Sequence, residues 1–291
     1  MTRPSPMAFF KQTLKSDAFY ADELINIYLL RPLAAGIVWL LYPTSITPNQ
    51  LTVVAILTGF ASAYSCSLAT PAAIALGGAL IMLKDIADDA DGQLARAKKL
   101  YSRRGRFLDS IGDFVVDVVV FAAVTAACYR SRPDPATVVL GVVGLLGITL
   151  RVSYHVYYQA SFLHLENRYT LNRIVEVVTE EDRRGDPVAL RLQQIFALIY
   201  GWQDKLMFRI DRWCMGKSFD ERHLPVWYGD RFALRISGLL GFGTELSLLA
   251  LCSWLNDLYA YLWLNAILMN GLWLGGIAYR RLVLAKNLGR E

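Results

Sequence analysis

Long apolar stretches separated by short polar turns organise this chain. They run at about Leu51–Ala69, from Ala72 into an acidic segment, and at about Phe107–Cys128, Ala136–Phe162, Phe232–Trp254 and Leu258–Tyr279. Each approaches the ~20 residues that cross a ~30 Å hydrocarbon core. The pattern predicts an all-α integral membrane protein with about six transmembrane helices. Ahead of them, Ile25–Tyr42 is apolar but interrupted by Arg31 and Pro32. It reads as an interfacial helix with Trp39 and Tyr42 at headgroup level. The chain thus divides into a cytoplasmic N-terminus and interfacial helix (1–46), transmembrane helices 1–4 (47–162), an interfacial insertion (163–230), and transmembrane helices 5–6 with a cytoplasmic tail (231–291).

Local signals refine the ends. Thr47-Pro48-Asn49-Gln50 starts the first span, with Asn49 expected as the N-cap, and Thr70-Pro71 turns the chain into the second. In the insertion, Gly185-Asp186-Pro187 supplies a turn, a cap and a proline at the first helical position. Leu192, Ile195, Phe196, Ile199 and Tyr200 then share one face, predicting an amphipathic helix on the membrane or on a partner subunit.

Composition agrees: 55% hydrophobic and 19% charged residues describe a polytopic membrane protein. The net charge of +5 does not point to nucleic acid, because Lys and Arg gather at the ends of apolar runs. The positive-inside rule accounts for them and puts the Lys98–Arg106 loop, Arg280, Arg281, Lys286 and both termini in the cytoplasm. Arg130 and Arg132, in an outer loop, go mildly against that rule. Cys66, Cys128, Cys214 and Cys252 have no paired spacing and read as buried thiols. The first residues lack the pattern of a cleaved signal peptide.

The chemistry lies in Asp85–Asp117. Carboxylates at the edge of hydrocarbon are expensive, and several on membrane helices are functional unless each has a partner. Asp88 and Asp91 share a helix face, with Gly92, Ala95 and Arg96 following, while Gly105, Asp109 and Asp113 step by four along the next helix. Clustered anions repel one another unless a cation lies between them, and a hard divalent ion takes oxygen ligands. The small residues Gly92, Ala95 and Gly105 let a bulky group approach the backbone. Caps, or salt bridges to Lys98, Lys99, Arg103, Arg104 and Arg106, account better for Asp85, Asp89 and Asp117.

Asp88-x-x-Asp91-Gly92-x-x-Ala95-Arg96, a gap of eight residues, and Gly105-x-x-x-Asp109-x-x-x-Asp113 together resemble the complete signature of the CDP-alcohol phosphotransferase family. Its members are membrane enzymes that displace CMP from a CDP-activated donor. The resemblance implies two divalent ions, Mg2+ or Mn2+. Asp88, Asp91 and Asp109 would hold one, and Asp88, Asp109 and Asp113 the other. Asp113 would be the general base. Asn49, Thr52, Gly92, Ala95, Arg96, Ser102 and Gly105 would contact the CDP donor.

Arg231 resembles the family's acceptor-side arginine, with Arg151 and Arg235 as weaker candidates. The basic pair that phosphorylated acceptors tend to require is missing from Ser153-Tyr154-His155-Val156-Tyr157-Tyr158. The family further implies a homodimer in the cell or inner membrane, the site facing the cytoplasm. The expected activity is transfer of a phosphatidyl group from CDP-diacylglycerol to an alcohol. Transfer of a CDP-linked headgroup to a lipid alcohol shares the same motif. An intramembrane prenyltransferase would need its second acidic motif on a distant helix, and a divalent-cation transporter would place its acids near mid-bilayer.

Overall fold

A computed structural model describes residues 20–165, 177–216 and 220–288. Every regular element among them is helical. A π-helical turn, Asn26–Leu30, leads into α1 (Arg31–Leu41), and then come α2 (Pro48–Ser67), α3 (Pro71–Lys98), α4 (Arg103–Ser131) and α5 (Pro135–Leu165). The insertion holds a short α6 (Glu180–Arg184) and a long α7 (Pro187–Met215). The chain closes with α8 (Leu224–Gly229), α9 (Arg231–Gly238), α10 (Phe242–Trp254) and α11 (Leu258–Leu288).

Helix ends follow cap chemistry. Thr47, not Asn49, caps α2: its side chain accepts from the Gln50 amide while the Gln50 side chain accepts from the Thr47 amide, with Pro48 in the first turn. Proline at that position needs no amide partner, so the cap falls one residue before it. Asn49 is thereby freed to point elsewhere. Thr70 and Asp186 cap α3 and α7 ahead of Pro71 and Pro187, and Ser102 caps α4.

Four helices, α2, α4, α5 and α11, are long and apolar enough to cross a membrane, and the α9–α10 pair makes a fifth if its 44° bend is one span. The fifth stretch of the sequence pattern is therefore broken near Gly241. The break is held from elsewhere in the chain. The Glu23 carboxylate accepts from the Thr244 amide at 2.8 Å and the Thr244 hydroxyl at 2.9 Å, capping α10 where Gly241 has no side chain to do so. α3 is apolar only in its first half, but its 28 residues span ~42 Å. It packs along α2 and carries the chain back from the end of α2 to the start of α4.

α1 packs Ala34 and Val38 against Leu51 and Ala55 of α2 and Ala87, Ala90 and Leu94 of α3. Trp39 and Tyr42 are partly buried against that same cluster. The main core joins Ile81 of α3, Val116, Val120 and Val124 of α4, and Leu246, Ala250, Tyr261 and Leu262 from the last helices. All four cysteines are buried and free.

α7 crosses the ends of α4 and α5. Phe196 lies 5.4 Å from Phe107 between ring centres, and the Tyr200 hydroxyl donates to the Ser110 carbonyl at 2.7 Å. The face expected from the sequence is split: Ile195 is exposed, whereas Gln193 and Gln203 are buried. Polar groups on the neighbouring helices draw these side chains in. Gln193 donates to Asp182 at 3.0 Å, and Ser153 donates to Gln203. Further along, Asp211 accepts from the hydroxyls of Tyr158 and Tyr228 at 2.7 Å and from the Trp227 indole at 2.9 Å. Leu198, Trp202, Phe208 and Trp213 face outward.

Candidate active site

α2, α3 and α4 meet at one end of the bundle. One carboxylate oxygen from each of Asp88, Asp91 and Asp109 lies within 4.8 Å of the others. The helical period explains the convergence: Asp88 and Asp91 share a face of α3, and Asp109 lies about two turns into α4 from its cap. The Asp109 Oδ1 atom is buried with no hydrogen-bond partner. An acceptor without a donor, buried beside two further carboxylates, is costly by itself and fits a divalent cation with oxygen ligands. The Thr52 hydroxyl donates to Asp91, fixing the third carboxylate from α2.

Asp113 does not join the three. Its Oδ1 atom accepts from the Lys84 ammonium at 2.5 Å, so a carboxylate that the resemblance assigned to a second ion is already paired. Lys84 is fully buried, lies 3.8 Å from Asp88, and sits 4.6 Å from the centre of the Phe242 ring. The sequence reading missed this lysine. Its signal was there: a cation inside an apolar run, four residues before Asp88 and so on the same helix face.

Three cations of the basic loop have partners away from the three carboxylates. Arg103 pairs with Asp182 at 2.6 Å, Arg104 pairs with Asp186, and the Lys98 ammonium donates to the Ile46 carbonyl at 2.7 Å. Asp85 and Asp89, expected to have caps or ion-pair partners, each keep a buried oxygen without a hydrogen bond. The Arg104 partner holds the Asp186 carboxyl below its ordinary value, with the Val188 amide adding to the effect.

Of the expected donor contacts, Asn49, Ser102 and Gly105 come together at the start of α4. A Cβ on Gly105 would meet the Asn49 amide oxygen at 2.4 Å and the Ser102 hydroxyl at 2.9 Å, so the missing side chain lets α2 reach the start of α4. Ser102 caps its own helix, accepting from the Gly105 amide at 2.8 Å. A Cβ on Gly92 would meet only the Arg96 guanidinium, at 3.5 Å, which leaves that face open. Arg96 is exposed and has no ion pair among the described residues.

The acceptor candidates separate. Arg231 and Arg235 stack over the Tyr20 ring at 4.5 and 5.2 Å. Arg151 is sealed in the bundle. Its guanidinium pairs with Glu245 at 2.8 Å and donates to the Asn270 side chain at 2.5 Å and the Asn265 carbonyl at 3.1 Å.

These helices define an all-α membrane protein with a three-carboxylate cluster between neighbouring helices. The sequence profile of the CDP-alcohol phosphatidyltransferase family matches residues 45–209, and the chain belongs to that family. It is accordingly a transferase of phosphate-containing groups. The family uses a CDP-alcohol donor and an alcohol acceptor and is generally dependent on divalent metal.

Similar proteins include the bifunctional IPC transferase and DIPP synthase of Thermococcus kodakarensis, 35% identical over 133 residues, which cover 46% of this chain and 29% of that protein. The protein of the same description from Archaeoglobus fulgidus is 34% identical over 121 residues, 42% of this chain and 22% of that one. That of Aquifex aeolicus is 39% identical over 88 residues, 30% and 19% respectively. The match thus spans less than a third of each relative's length.

Proposed function

We propose that the protein transfers a phosphatidyl group from CDP-diacylglycerol to an alcohol acceptor and releases CMP. The observation that carries this reading is the convergence of Asp88, Asp91 and Asp109, with a buried, unpartnered oxygen on Asp109, beside an open face that ends in Arg96. The three carboxylates would hold Mg2+ or Mn2+. Such an ion neutralises and polarises diphosphate oxygens when bound.

The chain's own residues do the rest. Arg96 pairs with phosphate, which a planar guanidinium can grip through two hydrogen bonds. Gly92 and Ala95 let the nucleotide lie close to α3, and Asn49, Thr52, Ser102 and Gly105 form the opposite rim. The acceptor hydroxyl oxygen attacks the β-phosphorus and its proton passes to Asp113. The bond from that phosphorus to the bridging oxygen breaks, and CMP leaves with the electron pair. Arg231, with Arg235 beside it on the Tyr20 ring, would face an acceptor with negative charge. The Lys98–Arg106 loop and the basic end of α11 favour a cytoplasmic site.

The motif shared across the family keeps a second donor type in view, a CDP-linked headgroup passed to a lipid alcohol. Following CMP release in proteoliposomes against CDP-diacylglycerol and a panel of CDP-linked alcohols, each with several acceptors, tests both. Release with CDP-diacylglycerol alone supports the preferred reading, and release only with the other donors replaces it. If no donor yields metal-dependent CMP, the proposal fails.

A further inference from the structure

Lys84 is the one cation that touches the acidic cluster among the described residues, and its position is specific. Its ammonium lies 2.5 Å from Asp113 and 3.8 Å from Asp88. The side chain is fully buried and the ammonium faces the Phe242 ring at 4.6 Å, where α10 begins after the bend. Glu23 holds that bend, beside the Phe242 ring that covers the lysine.

Asp88 is therefore shared between two cation positions, one framed by Asp91 and Asp109 and the other by Asp113. A divalent ion against Asp113 would meet the ammonium as a like charge at close range. In the arrangement seen, Lys84 already occupies the Asp113 oxygen that a second ion would need. We propose that the Lys84 ammonium takes the place of the second divalent ion, so that the transferase works with one metal and one built-in monovalent cation. The lysine would hold Asp113 toward the acceptor side and carry the charge that a second ion would otherwise supply. This inference rests on the reading that Asp88, Asp91 and Asp109 bind a divalent ion.

The test is a metal count on the purified full-length protein with Mn2+ alone as the probe, by equilibrium binding and by electron paramagnetic resonance. The parent is expected to bind one Mn2+ per chain with an uncoupled spectrum. Lys84→Met is expected to bind two, with the splitting of a spin-coupled pair, and Lys84→Arg to return to one. Two coupled Mn2+ ions in the parent would overturn the proposal while leaving the metal reading intact, and so would a single ion in both the parent and Lys84→Met. No bound Mn2+ in the parent would instead overturn the metal reading. Should Lys84→Met fail to fold, the parent's count and spectrum still decide.

Discussion

Two clusters of charge lie in the same helical bundle and are resolved in opposite ways. Around Arg151 the charge is paired: Glu245 takes the guanidinium at 2.8 Å and itself accepts from the Tyr261 hydroxyl at 2.9 Å and from Asn265, although the Arg151 Nε and Asn265 Oδ1 atoms make no hydrogen bond. Around Asp109 the partners are missing, since three carboxylates converge and one buried oxygen has no donor. In the first arrangement opposite charges are matched, which fits a structural role. The second is incomplete until a cation arrives, which fits a site. Charge in a membrane helix is therefore not informative by itself. Whether the protein has already satisfied it is.

The contrast is most easily broken at Glu245. Glu245→Ala strands a buried guanidinium and is expected to cost about 3–5 kcal/mol of stability. Thermal melting in detergent measures it. The paired change Arg151→Met with Glu245→Leu should recover most of the loss and retain turnover. A selective rise in acceptor KM in that double variant would give Arg151 the acceptor role expected from the sequence.

Asp109→Asn is the counterpart in the open cluster. It removes a repelling charge, so melting should be unchanged or higher, while turnover falls by roughly 10²–10³-fold, the scale of losing one electrostatic group at a reacting centre. Parallel losses of stability and activity would erase the distinction between the two clusters.

Gly105→Val sharpens the comparison at the donor rim. The new side chain must displace Asn49, whose oxygen lies 2.4 Å from the Cβ position. A shift of that order is expected to cost up to ~10²-fold in kcat/KM for the CDP donor. The bound Mn2+ count should stay as in the parent.

The smallest effect is expected at Glu23, a closed contact outside the spans. Burial pushes its carboxyl up from an ordinary 4.5 to about 7, against the hydrogen bonds from Thr244 and Gly243 that pull it down. A raised carboxyl pKa means the folded form holds its proton longer than the unfolded one. The contribution is full below the unfolded value and is lost as the pH rises through the folded one. Docking of this segment on α10 should therefore loosen between about pH 4.5 and about pH 7. Hydrogen exchange at the Gly243 and Thr244 amides, corrected for its intrinsic pH dependence, reads the change, which Glu23→Gln should flatten.

How far the sequence foretold this molecule depends on how local the determinant is. The aspartate pairs were legible because helical spacing of three and four places side chains on one face without knowledge of the neighbours. The same holds for the α7 start at Asp186-Pro187. Thr47 was legible too, since threonine before proline is a helix start, yet the asparagine drew the assignment two residues late. Non-local facts were hidden. Nothing near Arg151 announces Glu245, which lies 94 residues away, and nothing near Lys84 announces its contact with Asp113 on the next helix. The bend between α9 and α10 left a trace in Gly241-Phe242-Gly243, but its cap comes from Glu23, at the other end of the chain. On α7 the apolar pattern gave no sign that Gln193 and Gln203 would be buried, because their partners lie on other helices.

The account stands or falls on whether the three converging carboxylates hold an ion that the reaction needs. CMP release from CDP-diacylglycerol should be measured in proteoliposomes stripped of divalent metal, before and after adding back Mg2+ or Mn2+, for the parent and for Asp109→Asn. The parent should be silent when stripped and restored by the ion, and the variant near silent throughout. Undiminished release from the stripped parent, or equal restored rates in the two proteins, would contradict it.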